Sequence, residues 1–216
     1  MSANDDAEVA FIGRITADAT HELRNVLAIT KESAGLIADI VTSPDRSDSP
    51  RAEKVLRTIH RIEAQIKRGS ELLTSLNRFA HGLDRTEVSV DLASAVREAA
   101  TLCRWVARKG KHDVAVAGDG QTVRATVDGL RFQMAVYAAV ECCLEQLPEA
   151  GTVTLQPIHD AGRPCVVFRG DVRGDAVTLA PKEAAAWNRL GTILDILGAT
   201  VEHVEPGGGF RLVLAG

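Results

Sequence analysis

Apolar positions recur with a helical period through the first 84 residues. From Val55 onward, steps alternating by four and three fall on Val55, Ile59, Ile62, Ile66, Gly69, Leu73, Leu76, Ala80 and Leu83, and only Gly69 is not apolar. That is the a/d seam of a helix packed in a coiled-coil-like bundle. Gly69 costs such a helix on the order of 1 kcal/mol against alanine, so it marks a close approach or a bend. Upstream, a matching seam runs through Ile12, Ile15, Ala19, Leu23, Val26, Thr30, Ala34, Ile37 and Val41. Between the two lies TSPDRSDSP, Thr42 to Pro50, whose prolines, serines and aspartates predict a loop. A single helical hairpin cannot bury both seams well. Two copies complete a four-helix bundle, which predicts a homodimer.

The pattern changes after Leu83. VSVD followed by LASAVREAATLCRWVARK reads as a short strand, Asp91 as an N-cap, and a helix. Val114–Val116 and Val123–Val127 alternate as strands do. Leu130–Leu147 is predicted helical, Thr152–Leu155 and Cys165–Phe168 are predicted strands, and Lys182–Leu197 is a predicted helix with Gly198 where a C-cap glycine belongs. Val201–Val204 and Phe210–Leu214 pair across PGGG, which reads as a hairpin turn. It follows a strand but opens no helix, so it is not a phosphate loop. The chain is therefore expected to be α+β: a helical hairpin over residues 1–84 and an α/β sandwich over 85–216, divided near Asp84–Glu87.

Composition narrows the function classes. Of 216 residues, 45% are hydrophobic, enough for a real core, and the net charge of −4 gives no basic footprint for nucleic acid. No apolar run approaches the roughly 20 residues that span a bilayer. The acidic start, MSANDDAEVA, is not a signal peptide. Cys103, Cys142, Cys143 and Cys165 form no C-x-x-C and have no histidine at zinc spacing, so they read as reduced, buried thiols of a cytoplasmic protein without a metal.

The chemistry concentrates in THELRNVLA, Thr20–Ala28. His21 lies two residues from the seam positions Ala19 and Leu23, roughly 200° around the helix at about 100° per residue, so it points away from the core. Arg14, Asp18, His21 and Asn25 follow at spacings of four, three and four and form one polar stripe, with Glu22 beside it. A neutral, exposed imidazole is a competent nucleophile at working pH. A neighbouring carboxylate can hold one ring nitrogen while the other attacks phosphorus, and an amide one turn on can orient a water or a phosphoryl oxygen. His60, His81, His112, His159 and His203 lack such a setting.

HELRN followed by an apolar run resembles the H-box of sensor histidine kinases, H-E-L-R-N/T-P-L, and the hairpin around it resembles their dimerisation and phosphotransfer domain. The resemblance implies that His21 is the phospho-acceptor, Glu22 its acid–base partner and Asn25 the residue that positions water in dephosphorylation of a partner. Arg14 and Asp18 would lie where a partner docks. The chain departs from the family at Val26, where proline is usual; this removes a helix kink and leaves the nucleophile intact.

The resemblance continues through ATVDGLRFQMAVYAAVECCLEQLPEAGTVTL and LGATVEHVEPGGGFRLVLAG, and implies the fold of the kinase ATP-binding domain. Its ligands are missing. The two N-box asparagines correspond to Ala138 and Cys142; alanine offers no ligand and a thiol is a poor one for a hard cation. Glu141 is kept. The adenine-recognising D-x-G-x-G is reduced to Asp171 with a displaced Gly174, and the glycine-rich lid to the single Gly191. Val172–Asn188 is too short for a usual lid and helix together.

An intact phospho-acceptor beside a degenerate ATP domain implies a dimeric histidine phosphotransfer protein of a phosphorelay. It would carry phosphoryl groups between aspartates of response-regulator receiver domains through His21, with no cofactor of its own and Mg²⁺ supplied by the receiver. The alternatives are an aspartyl-phosphate phosphatase using Glu22 and Asn25, a divergent histidine kinase, and a non-catalytic scaffold that binds a receiver.

Overall fold

The computed structural model describes residues 3–42, 48–82, 88–118, 122–148, 150–205 and 208–214. The expected boundary stretch, Asp84–Glu87, and most of the expected loop after Thr42 lie outside the described residues. Two helices open the chain, α1 (Ala3–Thr42) and α2 (Asp48–Gly82). The α2 helix already starts inside the expected breaker segment, with Pro50 in its first turn, where a missing N–H costs nothing. Contacts divide the chain into two compact units, residues 14–77 and residues 1–13 with 78–216.

In the first unit α1 and α2 run antiparallel. Glu22 pairs with Arg68, Glu32 lies 3.9 Å from Arg61, and Arg51 donates to the Ile40 carbonyl. The inner line of α1 is Ile15, Ala19, Val26 and Ser33, all buried. On α2 it is Thr58, Gly69 and Leu72, with Val55, Ile62, Gln65 and Leu76 half-buried. Gly69 marks the close approach: a Cβ there would sit 3.2 Å from Val26 Cγ1.

The seam read from the sequence is therefore only half an inner seam. Its other positions face out: Ile66 is 59% exposed, Leu73 54% and Ile59 37%. On α1, Ala34 and Val41 are exposed as well. The apolar band of each helix is wider than one seam. The hairpin closes on the edge that includes Thr58, Gln65 and Ser33, and leaves the more apolar edge uncovered. Leu27, on the same helix as His21, is 67% exposed.

The second unit is α+β. Strand β1 (Val88–Asp91) pairs antiparallel with β3 (Arg124–Val127). The main sheet follows the order β2-β4-β5-β8-β7 through β2 (Asp113–Val116), β4 (Thr152–Asp160), β5 (Arg163–Val172), β8 (Gly209–Val213) and β7 (Thr200–Val204). Among the described residues only β2 and β4 are parallel; β6 (Asp175–Val177) continues antiparallel from β5. Three helices pack with it: α3 (Leu92–Lys109), α4 (Gly129–Leu144) and α5 (Trp187–Leu197).

Local signals account for the helix ends. Asp91 accepts from Ala93 N–H at 3.1 Å, as its N-cap position predicts. Asp128 accepts from Arg131 N–H at 3.0 Å at the start of α4. Gly198 ends α5 at φ 65°, with its N–H on the Leu194 carbonyl. The helix expected over Lys182–Leu197 is shorter than its pattern: a 3-10 turn at Pro181–Glu183 is followed by α5 only from Trp187. At the start of β8, Gly209 is irreplaceable on space alone, since a Cβ would lie 2.4 Å from the Phe168 carbonyl oxygen; residues 206 and 207 of the expected PGGG turn lie outside the described residues.

The core of this unit is built from α3, α4 and the inner sheet face. Phe168 and Phe210 stack at 5.0 Å with an interplanar angle of 8°. At the other side Phe11 meets Phe79 at 5.8 Å and Tyr137 at 5.4 Å, both edge-on. All four cysteines are buried. Phe168→Ala should lower unfolding free energy by about 3–5 kcal/mol, read as a shift of the urea transition followed by fluorescence of Trp105 and Trp187.

Candidate functional site

On α1 the polar stripe has the expected spacing but not the expected partners. His21 and Asn25 are exposed, while Arg14 and Asp18 are half-buried. The Asn25 side-chain amide lies 3.4 Å from His21 Nδ1, one helical turn away. Glu22 does not share in this contact. Its carboxylate, 13% exposed, forms an ion pair with Arg68 of α2. The structure thus brings His21 and Asn25 together and turns Glu22 toward the hairpin interior. Arg68 was not singled out from the sequence. Its only signal there is its place next to the seam glycine, where α2 comes nearest to α1.

In the α/β unit the residues aligned with a nucleotide site have other work. Ala138 and Cys142 are buried in α4. Glu141 binds Arg189 of α5 at 2.9 Å. Asp171 accepts from Gly174 N–H at 3.3 Å and so closes the β5–β6 turn, where Gly174 takes φ 91°. Gly191 lies within α5, and nothing stands within 4 Å of a Cβ placed there.

The segment joining β6 to α5 is tied to the end of α4 at several points. Ala180 N–H donates to Gln146 Oε1 at 2.7 Å, and Gln146 Nε2 in turn donates to the Cys142 carbonyl at 2.9 Å. Ala185 N–H donates to Glu145 Oε2 at 2.6 Å, with Ala186 N–H at 3.4 Å. A helix N-terminus presents unpaired N–H groups and a positive dipole end, which favour an anion. Here a carboxylate of the same chain, Glu145, accepts from the two residues just ahead of α5, which itself has no side-chain cap. Leu179 is fully buried, with its N–H on the Gly208 carbonyl at 2.6 Å. The sequence carried no sign of Glu145, Gln146 or Arg189 in these roles, because each acts across some forty residues.

Burial, more than the nearby Glu145 and Glu141, pushes the Cys142 thiol up to about 12. Burial also raises Cys103, Cys143 and Cys165. Among the described residues no group of three or more His, Cys, Asp or Glu is placed to hold a metal ion. Among the same residues no helix is long and apolar enough to cross a membrane.

No family model and no curated protein matches the chain. Among solved structures it is similar to the histidine kinase domain of the Erythrobacter litoralis EL346 blue-light activated histidine kinase, at 15% identity and TM-score 0.46, over 90% of this chain and 94% of that one. It is also similar to the Acinetobacter baumannii histidine kinase AdeS, at 14% identity and TM-score 0.43, over 90% of this chain and 97% of that one. A third likeness is to the catalytic domain of histidine kinase ThkA in a nucleotide-free form, at 14% identity and TM-score 0.47, over 60% of this chain and 94% of that one.

Glu145→Ala should free the N–H groups before α5 at a cost of about 1 kcal/mol. The measurement is a lower thermal midpoint by circular dichroism, which Glu145→Gln restores in part because its amide oxygen can still accept.

Proposed function

We propose that the chain is a histidine phosphotransfer protein of a two-component phosphorelay, working as a homodimer. His21 takes the phosphoryl group from the aspartate of one response-regulator receiver and hands it to the aspartate of another. Arg14 and Asp18, on the same stripe, are where the receiver docks. The observation that carries this reading is the exposed His21 imidazole, with the Asn25 side-chain amide 3.4 Å from its Nδ1. The HELRN motif adds the resemblance to sensor kinases.

The ATP-independent part rests on the other unit. Two positions that would ligate a magnesium–triphosphate are buried alanine and cysteine. Glu141, Glu145 and Gln146 are spent on Arg189 and on the backbone ahead of α5. On this reading the α/β unit has the kinase ATP-domain fold without its reaction, and the receiver brings the cation. One observation favours a second activity: Asn25 is exposed beside His21, an arrangement that also suits a water-positioning phosphatase.

Mixed with a phosphorylated receiver, the protein should acquire acid-labile phosphate that His21→Ala abolishes, whereas Mg²⁺ and labelled ATP alone should give none. Receiver dephosphorylation that survives His21→Ala would select the phosphatase instead. Labelling by ATP would restore the kinase reading.

The uncovered stripe of Ile59, Ile66 and Leu73 on α2, with Leu27 on α1, supports the four-helix dimer. Sedimentation should give the mass of two chains for the native protein. It should give one chain for Ile66→Asp combined with Leu73→Asp, with helical content retained at high concentration.

A further inference from the structure

Resting on the phosphotransfer reading, we propose that Asn25 selects the tautomer of His21, and that Arg68 is a positioning residue that withholds Glu22 from the ring. Attack on phosphorus by Nε2 needs its lone pair, so the proton must sit on Nδ1. The group facing Nδ1 must then accept a hydrogen bond. The Asn25 side-chain amide is at that nitrogen, with Nδ2 placed 3.4 Å from Nδ1. A half-turn of its amide exchanges Nδ2 for Oδ1 at the same place, so either face is available.

Glu22 would be the stronger acceptor, and it is the adjacent residue. It is held elsewhere. Its carboxylate, largely withdrawn from water, is in contact with the guanidinium of the half-buried Arg68. Gly69 makes this possible: without a Cβ, α2 comes against Val26 and Leu23, one turn from Glu22, and Arg68 reaches across. Among the described residues neither Arg68 Nε nor Glu22 Oε1 makes an aligned hydrogen bond, so the pair is an ionic contact through the terminal nitrogen.

The consequence is chemical. When the Nε2 lone pair forms the N–P bond, the aspartyl P–O bond breaks and its electron pair leaves with the receiver carboxylate. The ring then carries the Nδ1 proton and a positive charge, with the Asn25 amide oxygen accepting from Nδ1–H. In that charged form it is a good leaving group for the return step. A free Glu22 carboxylate would stabilise the same charge, being a weaker base than imidazole, so the Arg68 pair leaves the phosphorylated ring with a hydrogen bond but no counter-charge.

The test is ¹⁵N NMR of the histidine ring in the full-length dimer labelled at its six histidines, with His21 assigned by His21→Gln. The native protein should show the Nδ1–H tautomer at His21, and Glu22→Gln should not change it. Asn25→Ala should lose that preference, and adding Arg68→Ala to Asn25→Ala should restore it through the released Glu22. The triple variant with Glu22→Gln should lose it again, and Arg68→Lys should behave as native. A native tautomer unchanged by Asn25→Ala, or one lost in Glu22→Gln alone, overturns the proposal. No phosphoryl donor is involved, so failure of the relay reading shows separately, as a protein with this tautomer that never takes phosphate.

Discussion

The helical unit turns on one close approach. At Gly69 the second helix presents no side chain, so it lies against Val26 and Leu23 of the first. That proximity puts Arg68 on Glu22, the residue next to His21. With the Arg68 side chain 33% exposed, water screens the pair and it adds little stability. The pair therefore works as a constraint on geometry more than as a source of stability. It fixes which acid is absent from the imidazole, and so which neighbour the imidazole has.

The α/β unit shows the same economy with opposite effect. Glu141, Glu145 and Gln146 lie close together at the end of α4, where polar side chains could face a ligand. Each instead bonds to the segment before α5 or to α5 itself. The Glu145 carboxylate, bonded just ahead of α5, places a negative charge where the helix dipole would otherwise favour a phosphate. The unit retains helices, sheet and a packed core while its anion-seeking groups are satisfied internally.

Much of this was legible because it is local. The cap at Asp91, the αL glycine at Gly198 and the outward face of His21 follow from spacing and residue type within a turn or two. Three features were not legible. The helix expected from Lys182 begins only at Trp187, because the chain makes a 3-10 turn at Pro181–Glu183 and then extends at Ala184, a path tied down by Glu145 and Gln146. The pairing of β1 with β3 joins two strands of four residues each that are far apart in sequence. The inner seam of α2 runs through Thr58, Gln65 and Leu72 rather than Ile59, Ile66 and Leu73. Ranking positions by hydrophobicity chose the second set, and the hairpin closed on the first. The same limit hid Arg68: a charged residue inside a heptad pattern reads as surface until its partner is known.

The buried thiols have a consequence beyond packing. Reaction of cysteine with peroxide or with other disulfides proceeds through the thiolate. Cys142 is pushed up to about 12 and the other three are raised by burial, so almost no thiolate exists in the folded chain at cellular pH. A peroxide therefore reaches these four cysteines only after the α/β unit has opened.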